Sequence, residues 1–116
     1  MLVNQRNLML SLVDSKTSLL IGYIIMSCKT GQCNITSLGV NPSNQRQGHG
    51  IMLIMKALQN AKKRHKCNEA RLYVRAGEEG VPARTLYAKL NFAIDGEPIK
   101  EYYSDGGDAF VMCRNF

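Results

Sequence analysis

The chain has 116 residues, of which 45% are hydrophobic and 21% charged, and its formal net charge is +6. That length suits one domain with one core, and the balance excludes disordered, collagen-like and low-complexity chains. No apolar run reaches the ~20 residues that a membrane-spanning helix needs, and the opening MLVNQRNLMLSLVD lacks the parts of a secretory signal, so the expected location is the cytoplasm.

The positive excess points to an anionic partner: phosphate, nucleic acid, an acidic peptide or a ribosome surface. The four cysteines, Cys28, Cys33, Cys67 and Cys113, form neither a C-x-x-C pair nor a zinc-site spacing. They are expected to be small core residues or surface thiols in a reducing compartment, and no metal is expected.

In chain order, Leu8 to Val13 and Ser18 to Ser27 are apolar runs of strand-forming residues separated by the turn cluster DSKT, which predicts a β-hairpin. The turn KTGQ (Lys29 to Gln32) leads to a third strand, CNITSLGV, ending before Asn41-Pro42. From Ile51 to about His65 the period changes to that of a helix, with Ile51, Ile54, Met55, Leu58 and Ala61 expected on its core face. Ala70 to Arg75 reads as a strand parallel to the one before the helix, joined to it by a right-handed crossover. Val81 to Leu90 reads as a short helix with Pro82 in its first turn. NFAID and DAFVMCRN read as closing strands around the turn SDGGD, in which Asp105 and Asp108 are turn residues. The order is β-β-β-α-β-α-β-β, a mixed α/β arrangement in a single domain over residues 1–116.

Two segments carry chemistry. The basic run KKRHK (Lys62 to Lys66) falls where the helix ends; it either opposes the negative end of the helix dipole or meets an anion such as RNA. At the other end, NQRQGHG (Asn44 to Gly50) puts Gly48 and Gly50 between a strand and a helix. Free backbone N–H groups at that positive helix end can hold phosphate, and Arg46 adds donors suited to phosphate oxygens. A tight turn with purely steric glycines is the plain alternative. The stretch is neither a dinucleotide fingerprint, since Leu53 stands at the third glycine position, nor a P-loop.

SLGVNPSNQRQGHG followed by an amphipathic helix resembles motif A (about 35–65) of the GNAT superfamily of N-acetyltransferases, whose pattern is Gln/Arg-x-x-Gly-x-Gly/Ala. LYVR, LYAKLNF and EYYSDGGDAFVM, within about 70–116, are similar to later motifs of its protein N-terminal acetyltransferase branch, of the NatA catalytic and ribosomal-protein N-acetyltransferase types. The resemblance implies a GNAT fold and acetyl-CoA, with the pyrophosphate on the amides of Gln45, Arg46, Gln47, Gly48, His49 and Gly50. It implies that Leu38 and Val40 meet the pantetheine arm, in a gap where two strands splay apart. It also implies direct transfer of the acetyl group to the α-amine of a protein N-terminus, with a ribosome or an auxiliary subunit as further partners. A lysine or small-molecule acceptor, or a non-catalytic module that binds CoA or RNA, remains an alternative.

By the same resemblance Tyr87 lies near the coenzyme sulfur as the proton donor, Arg75 supports the site, and Tyr102 and Tyr103 contact the substrate N-terminus. Tyr73 stands where relatives carry glutamate or histidine; being a poor base at neutral pH, it would order a water or pack in the strand. An α-amine has a pKa of about 7.7–8.0 and a thiol leaves readily, so positioning outweighs strong acid-base groups. The sequence departs from the family twice. AGEEGVPA replaces an Arg-x-Ser-Asn segment after VR, and the hairpin at the front follows no counterpart of the family's leading strand and two helices. The expectation is a shortened GNAT fold that is either a fragment or is completed by a partner or a second copy pairing with its exposed first strand.

Overall fold

Two local devices shape the front of the computed structural model, which describes residues 5–116. Strands β1 (Gln5–Val13) and β2 (Leu20–Lys29) are joined by a turn in which the Asp14 carboxylate accepts from the N–H groups of Lys16 (2.8 Å) and Thr17 (3.0 Å). Between β2 and β3 (Gln32–Val40), Thr30 and Gly31 both have positive φ (39° and 80°), which suits a tight two-residue hairpin turn. An α-helix, α1 (His49–Arg64), then carries the chain to β4 (Glu69–Arg75), and a second, α2 (Val81–Lys89), carries it to β5 (Ala93–Ile94) and β6 (Ala109–Asn115).

The strands form one six-stranded sheet in the order β1-β2-β3-β4-β6-β5. Every neighbour pair is antiparallel except β3 and β4, which run parallel across the α1 crossover, in agreement with the expected antiparallel front and mixed sheet. The closing strand expected over NFAID is only the two residues of β5, because Phe92 turns inward and is buried.

The core lies under the helices: Ile24 and Met26 of β2, Ile35 of β3, Leu72 and Val74 of β4 and Met112 of β6 form one buried cluster with the inner face of α1. One correction concerns that helix. Its buried face is Leu53, Ile54, Ala57, Leu58 and Ala61, whereas Ile51 and Met55, expected in the core, are 39% and 40% exposed. The small side chains at Ala57 and Ala61 let the helix sit close to the sheet, which turns the bulkier Ile51 and Met55 outward. Leu86, Tyr87 and Leu90 of the α2 region pack on the same cluster, so both helices lie on one face of the sheet. Cys28, Cys33 and Cys67 are buried free cysteines in the lower part of that core. Among the described residues no helix is long and apolar enough to cross a membrane, and no group of three or more His, Cys, Asp or Glu could hold a metal ion.

Candidate active site

The site begins with a break in pairing. Strands β3 and β4 are in register only from Gln32 opposite Glu69 to Ile35 opposite Leu72; beyond that point they part. The parting coincides with a β-bulge: Ile25 faces Ser37 and Met26 faces Ile35, leaving Thr36 without a counterpart. Leu38 and Val40, beyond the bulge, line a cavity of about 520 Å³.

The floor of that cavity is the glycine loop. Asn41 accepts from the N–H of Ser43 (3.2 Å) and opens a short 3-10 turn, Pro42–Asn44. The Gln45 side-chain amide donates to the Val40 carbonyl (3.1 Å), tying the loop to the strand end. Arg46 and Gly48 then take positive φ (65° and 82°), and Gly48 becomes the N-cap of α1 without any side chain to cap it. No N–H from Arg46 to Ile51 has an acceptor among the described residues; the first bond of the helix end runs from Met52 to the Gly48 carbonyl (3.1 Å). A Cβ built on Gly48 or Gly50 would meet nothing within 4 Å, so the space over those amides is open.

Gln45, Arg46, Gly48, His49 and Gly50 line the cavity, while Gln47 does not. The Gln47 side chain instead lies 3.3 Å from His49 Nε2, and His49 Nδ1 is buried without a partner. An array of free amides at a helix's positive end, an exposed guanidinium and open space above two glycines fit a phosphate-bearing group. Pro82, Ala83 and Leu86, on the first turns of α2, close the opposite wall; sequence reasoning passed over them, although their i, i+1, i+4 spacing is that of one helix face. Arg84 was missed as well. Its Nη1 donates to the carbonyl of Arg75 and to that of Gly77 (2.9 Å), fixing the AGEEG turn after β4. Gly80 is required there, because a Cβ would run into the Arg75 carbonyl.

Four of the expected residues meet on the sheet face away from the helices. Tyr73 stacks on Tyr102 with ring centroids 4.9 Å apart and planes at 8°, and Tyr102 meets Tyr103 edge-on at 5.0 Å. The Arg75 guanidinium lies 4.1 Å from the centre of the Tyr103 ring and is fixed by Asp105, whose Oδ2 is 2.9 Å away. Asp105 is therefore more than a turn residue. The hydrogen bond from Arg75 and a second from the Gly107 N–H hold its carboxyl below the usual range. Asp108 also does more than turn the chain, accepting from the N–H of Glu101 (3.0 Å) and from Lys100 Nζ (3.2 Å).

Tyr87 belongs to α2, outside the cavity lining, and is partly buried, with its ring tilted against Phe92 at 6.1 Å. Burial, and then the neighbouring Tyr103, raise its phenol above the ordinary value of 10.0. It keeps its proton at neutral pH.

A mixed sheet parted between two parallel strands, with a glycine-rich helix entrance below the gap, is the architecture of the GNAT fold. The Acetyltransferase (GNAT) domain pattern matches residues 11–94, and the chain belongs to that family. It is 31% identical over 107 residues to an N-alpha-acetyltransferase of Saccharolobus solfataricus, an alignment covering 81% of this chain and 62% of the relative. A second N-alpha-acetyltransferase, from Sulfolobus acidocaldarius, is 30% identical over 108 residues, with 80% and 61% covered. The chain thus spans about three fifths of the length of the curated relatives it matches. Among solved structures, the ribosomal-protein-S18-alanine N-acetyltransferase of Escherichia coli superposes with a TM-score of 0.81 at 26% identity, covering 95% of this chain and 69% of that one. A chain of the NatC complex bound to Gag peptide and CoA has the same fold, with a TM-score of 0.76 at 24% identity over 90% of this chain and 68% of its own.

Proposed function

We propose that the chain is an acetyl-CoA-dependent N-acetyltransferase domain that acetylates the α-amine of protein N-termini. The observation that carries this reading is the unbroken run of free N–H groups from Arg46 to Ile51, opening into the gap between β3 and β4. Bound there, acetyl-CoA supplies an acetyl group already activated as a thioester. The amides of that run and the Arg46 guanidinium would hold its phosphates, and the apolar walls from Leu38, Val40, Ala83 and Leu86 would exclude water from the pantetheine arm.

As the α-amine displaces the thiolate from the acetyl carbon, Tyr87, which keeps its proton through neutral pH, would give that proton to the thiolate, and the proton lost by the amine would return to Tyr87 through solvent. On the acceptor side Tyr73, Tyr102 and Tyr103 form a rim of exposed or half-buried aromatics whose hydroxyls suit a peptide backbone. Arg75 acts by holding Tyr103 in place. The relatives named N-alpha-acetyltransferase support an α-amine as acceptor. Incubation with acetyl-CoA and short peptides, followed by peptide mass and free thiol, tests the proposal: acetylation of free N-termini is expected. Acetylation confined to lysine side chains or polyamines, or CoA binding without any transfer, would overturn it.

The outer edge of β1 has no neighbour among the described residues, and Met9 and Val13 are 58% and 49% exposed beside it. Such an edge supports pairing with a second copy of the chain. Light scattering of a concentrated sample that returns only the monomer mass rules that pairing out.

A further inference from the structure

At the end of α1 opposite the glycine loop, the structure gathers cations from separate segments. Cys28 and Lys29 at the end of β2 and Thr30 and Gly31 of the turn after it, with Arg64 at the end of α1 and His65 and Lys66 just beyond, line a recess of about 330 Å³. Lys62 and Lys63 extend the patch along the last turn of the helix. Among the described residues the ion pairs involve only Arg71, Arg75 and Lys100 as cations, so none of these lysines, nor Arg64, is neutralised by an acid.

The helix dipole does not account for this arrangement. It rationalises Lys62, Lys63 and Arg64, but Lys29 comes from a hairpin that the helix does not include. The two segments are held together: the N–H of Asn68, just past the recess, donates to the Gly31 carbonyl at 2.7 Å. Thr30 and Lys66 both adopt positive φ (39° and 56°), an uncommon conformation for residues with side chains.

The chemistry of the recess selects among anionic partners. Its lining has no Tyr or Phe to stack on bases and no aliphatic side chain to enter a lipid layer or seat a peptide's apolar residues. What it presents is a concave group of lysine and arginine donors from two segments, with a threonine hydroxyl among them. We propose that this recess binds the phosphate backbone of structured RNA, through charge and shape rather than base sequence. The site is remote from the coenzyme cleft: α1 has 16 residues, so its two ends lie roughly 24 Å apart at about 1.5 Å per residue. RNA at one end leaves the other open.

The test uses a fluorescent RNA hairpin, a single strand of the same length, poly-glutamate and phosphatidylserine vesicles, each titrated with the full chain. The hairpin is expected to bind most tightly, with affinity falling steeply as salt rises. The combined variant Lys29→Glu, Arg64→Glu, Lys66→Glu is expected to lose at least tenfold in hairpin affinity, and the corresponding glutamine variant to fall between it and the parent. Both are expected to keep the parent's circular dichroism and CoA affinity, and excess CoA is expected to leave hairpin binding unchanged. Equal hairpin binding by parent and glutamate variant, displacement of the RNA by CoA, tighter binding of poly-glutamate or vesicles, or no hairpin binding at low salt would each overturn the proposal. None of these readouts depends on acetyl transfer, so the RNA site and the catalytic reading stand or fall separately.

Discussion

Arg75 and Asp105 are 30 residues apart in sequence, yet the guanidinium Nη1 of one lies 2.9 Å from the carboxylate Oδ2 of the other. This pair fastens the loop bearing Tyr102 and Tyr103 to the end of β4, with Tyr103 under the guanidinium. Because the pairing lowers the Asp105 pKa below 3.8, its contribution is present above that value and is lost as pH falls through the lower folded value. Tyrosine emission of the parent is expected to change in that acid range. Asp105→Asn is expected to weaken peptide binding at neutral pH while sparing CoA, measurable as a rise in peptide KM with an unchanged CoA dissociation constant.

Arg46 is exposed at the cavity mouth and has no ion-pair partner among the described residues. A charge-assisted hydrogen bond contributes about 1.5–3 kcal/mol, and each 1.4 kcal/mol is about tenfold in affinity. Arg46→Ala is therefore expected to weaken CoA binding by at least about tenfold in calorimetry. Unchanged affinity would remove this residue from the phosphate site.

Tyr87→Phe keeps the ring and its packing against Phe92 while deleting the hydroxyl. Transfer is expected to slow by about tenfold to a hundredfold, less than the roughly hundredfold to ten-thousandfold usual for a positioned acid, since a thiolate leaves readily unaided. CoA affinity is expected to hold. In the parent, the raised phenol pKa means that the contribution of this group to stability is complete below 10.0 and is lost as pH rises through the folded value. An alkaline loss of stability that Tyr87→Phe leaves unchanged would contradict that linkage.

Gly80 sits against the Arg75 carbonyl and the Arg84 guanidinium. Gly80→Ala forces a shift in the turn that Arg84 holds, and the expected cost is about 1–3 kcal/mol, as for other overpacked sites. Urea denaturation reads the loss. Gly50→Ala, where an added Cβ meets open space, is expected to change stability little while obstructing CoA.

Burial pushes the thiols of Cys28 and Cys33 up to about 12, each helped by its sulfur neighbours. At pH 8 the native chain is expected to leave both unmodified by iodoacetamide for hours, with full labelling in urea, read by peptide mass. Rapid native labelling at Cys33 would show that the lower core opens far more readily than its packing implies.

The fold was legible in the sequence because each element carried its own punctuation: Asp14 at the first turn, Thr30-Gly31 at the second, Gly48 before the helix and Pro82 at the start of the next. The glycine loop was legible for the same reason, being a local feature. The core face of α1 was misread at Ile51 and Met55 because a periodic count weights large residues, whereas Ala57 and Ala61 decide how closely the helix approaches. The roles of Asp105 and Arg84 were invisible for a different reason. Each acts on a partner brought near only by the finished sheet, and nothing in the neighbouring residues announces a bond 30 or 9 positions away.

The unmatched Thr36 has a consequence for how this chain tolerates change. On its near side Cys33 and Ile35 point into the core; on its far side Leu38 and Val40 take that direction, and Ser37 and Gly39 take the other. One extra residue thus resets the parity of the strand. Deleting it would let Ile35, Ser37, Leu38, Gly39 and Val40 alternate regularly, so Leu38 and Val40 would keep their face, but the bulge that accompanies the parting would be gone and β3 left free to continue alongside β4. Insertions in the outer loops would lengthen a connection, but a single deletion here would exchange a strand with a mouth for one that simply closes.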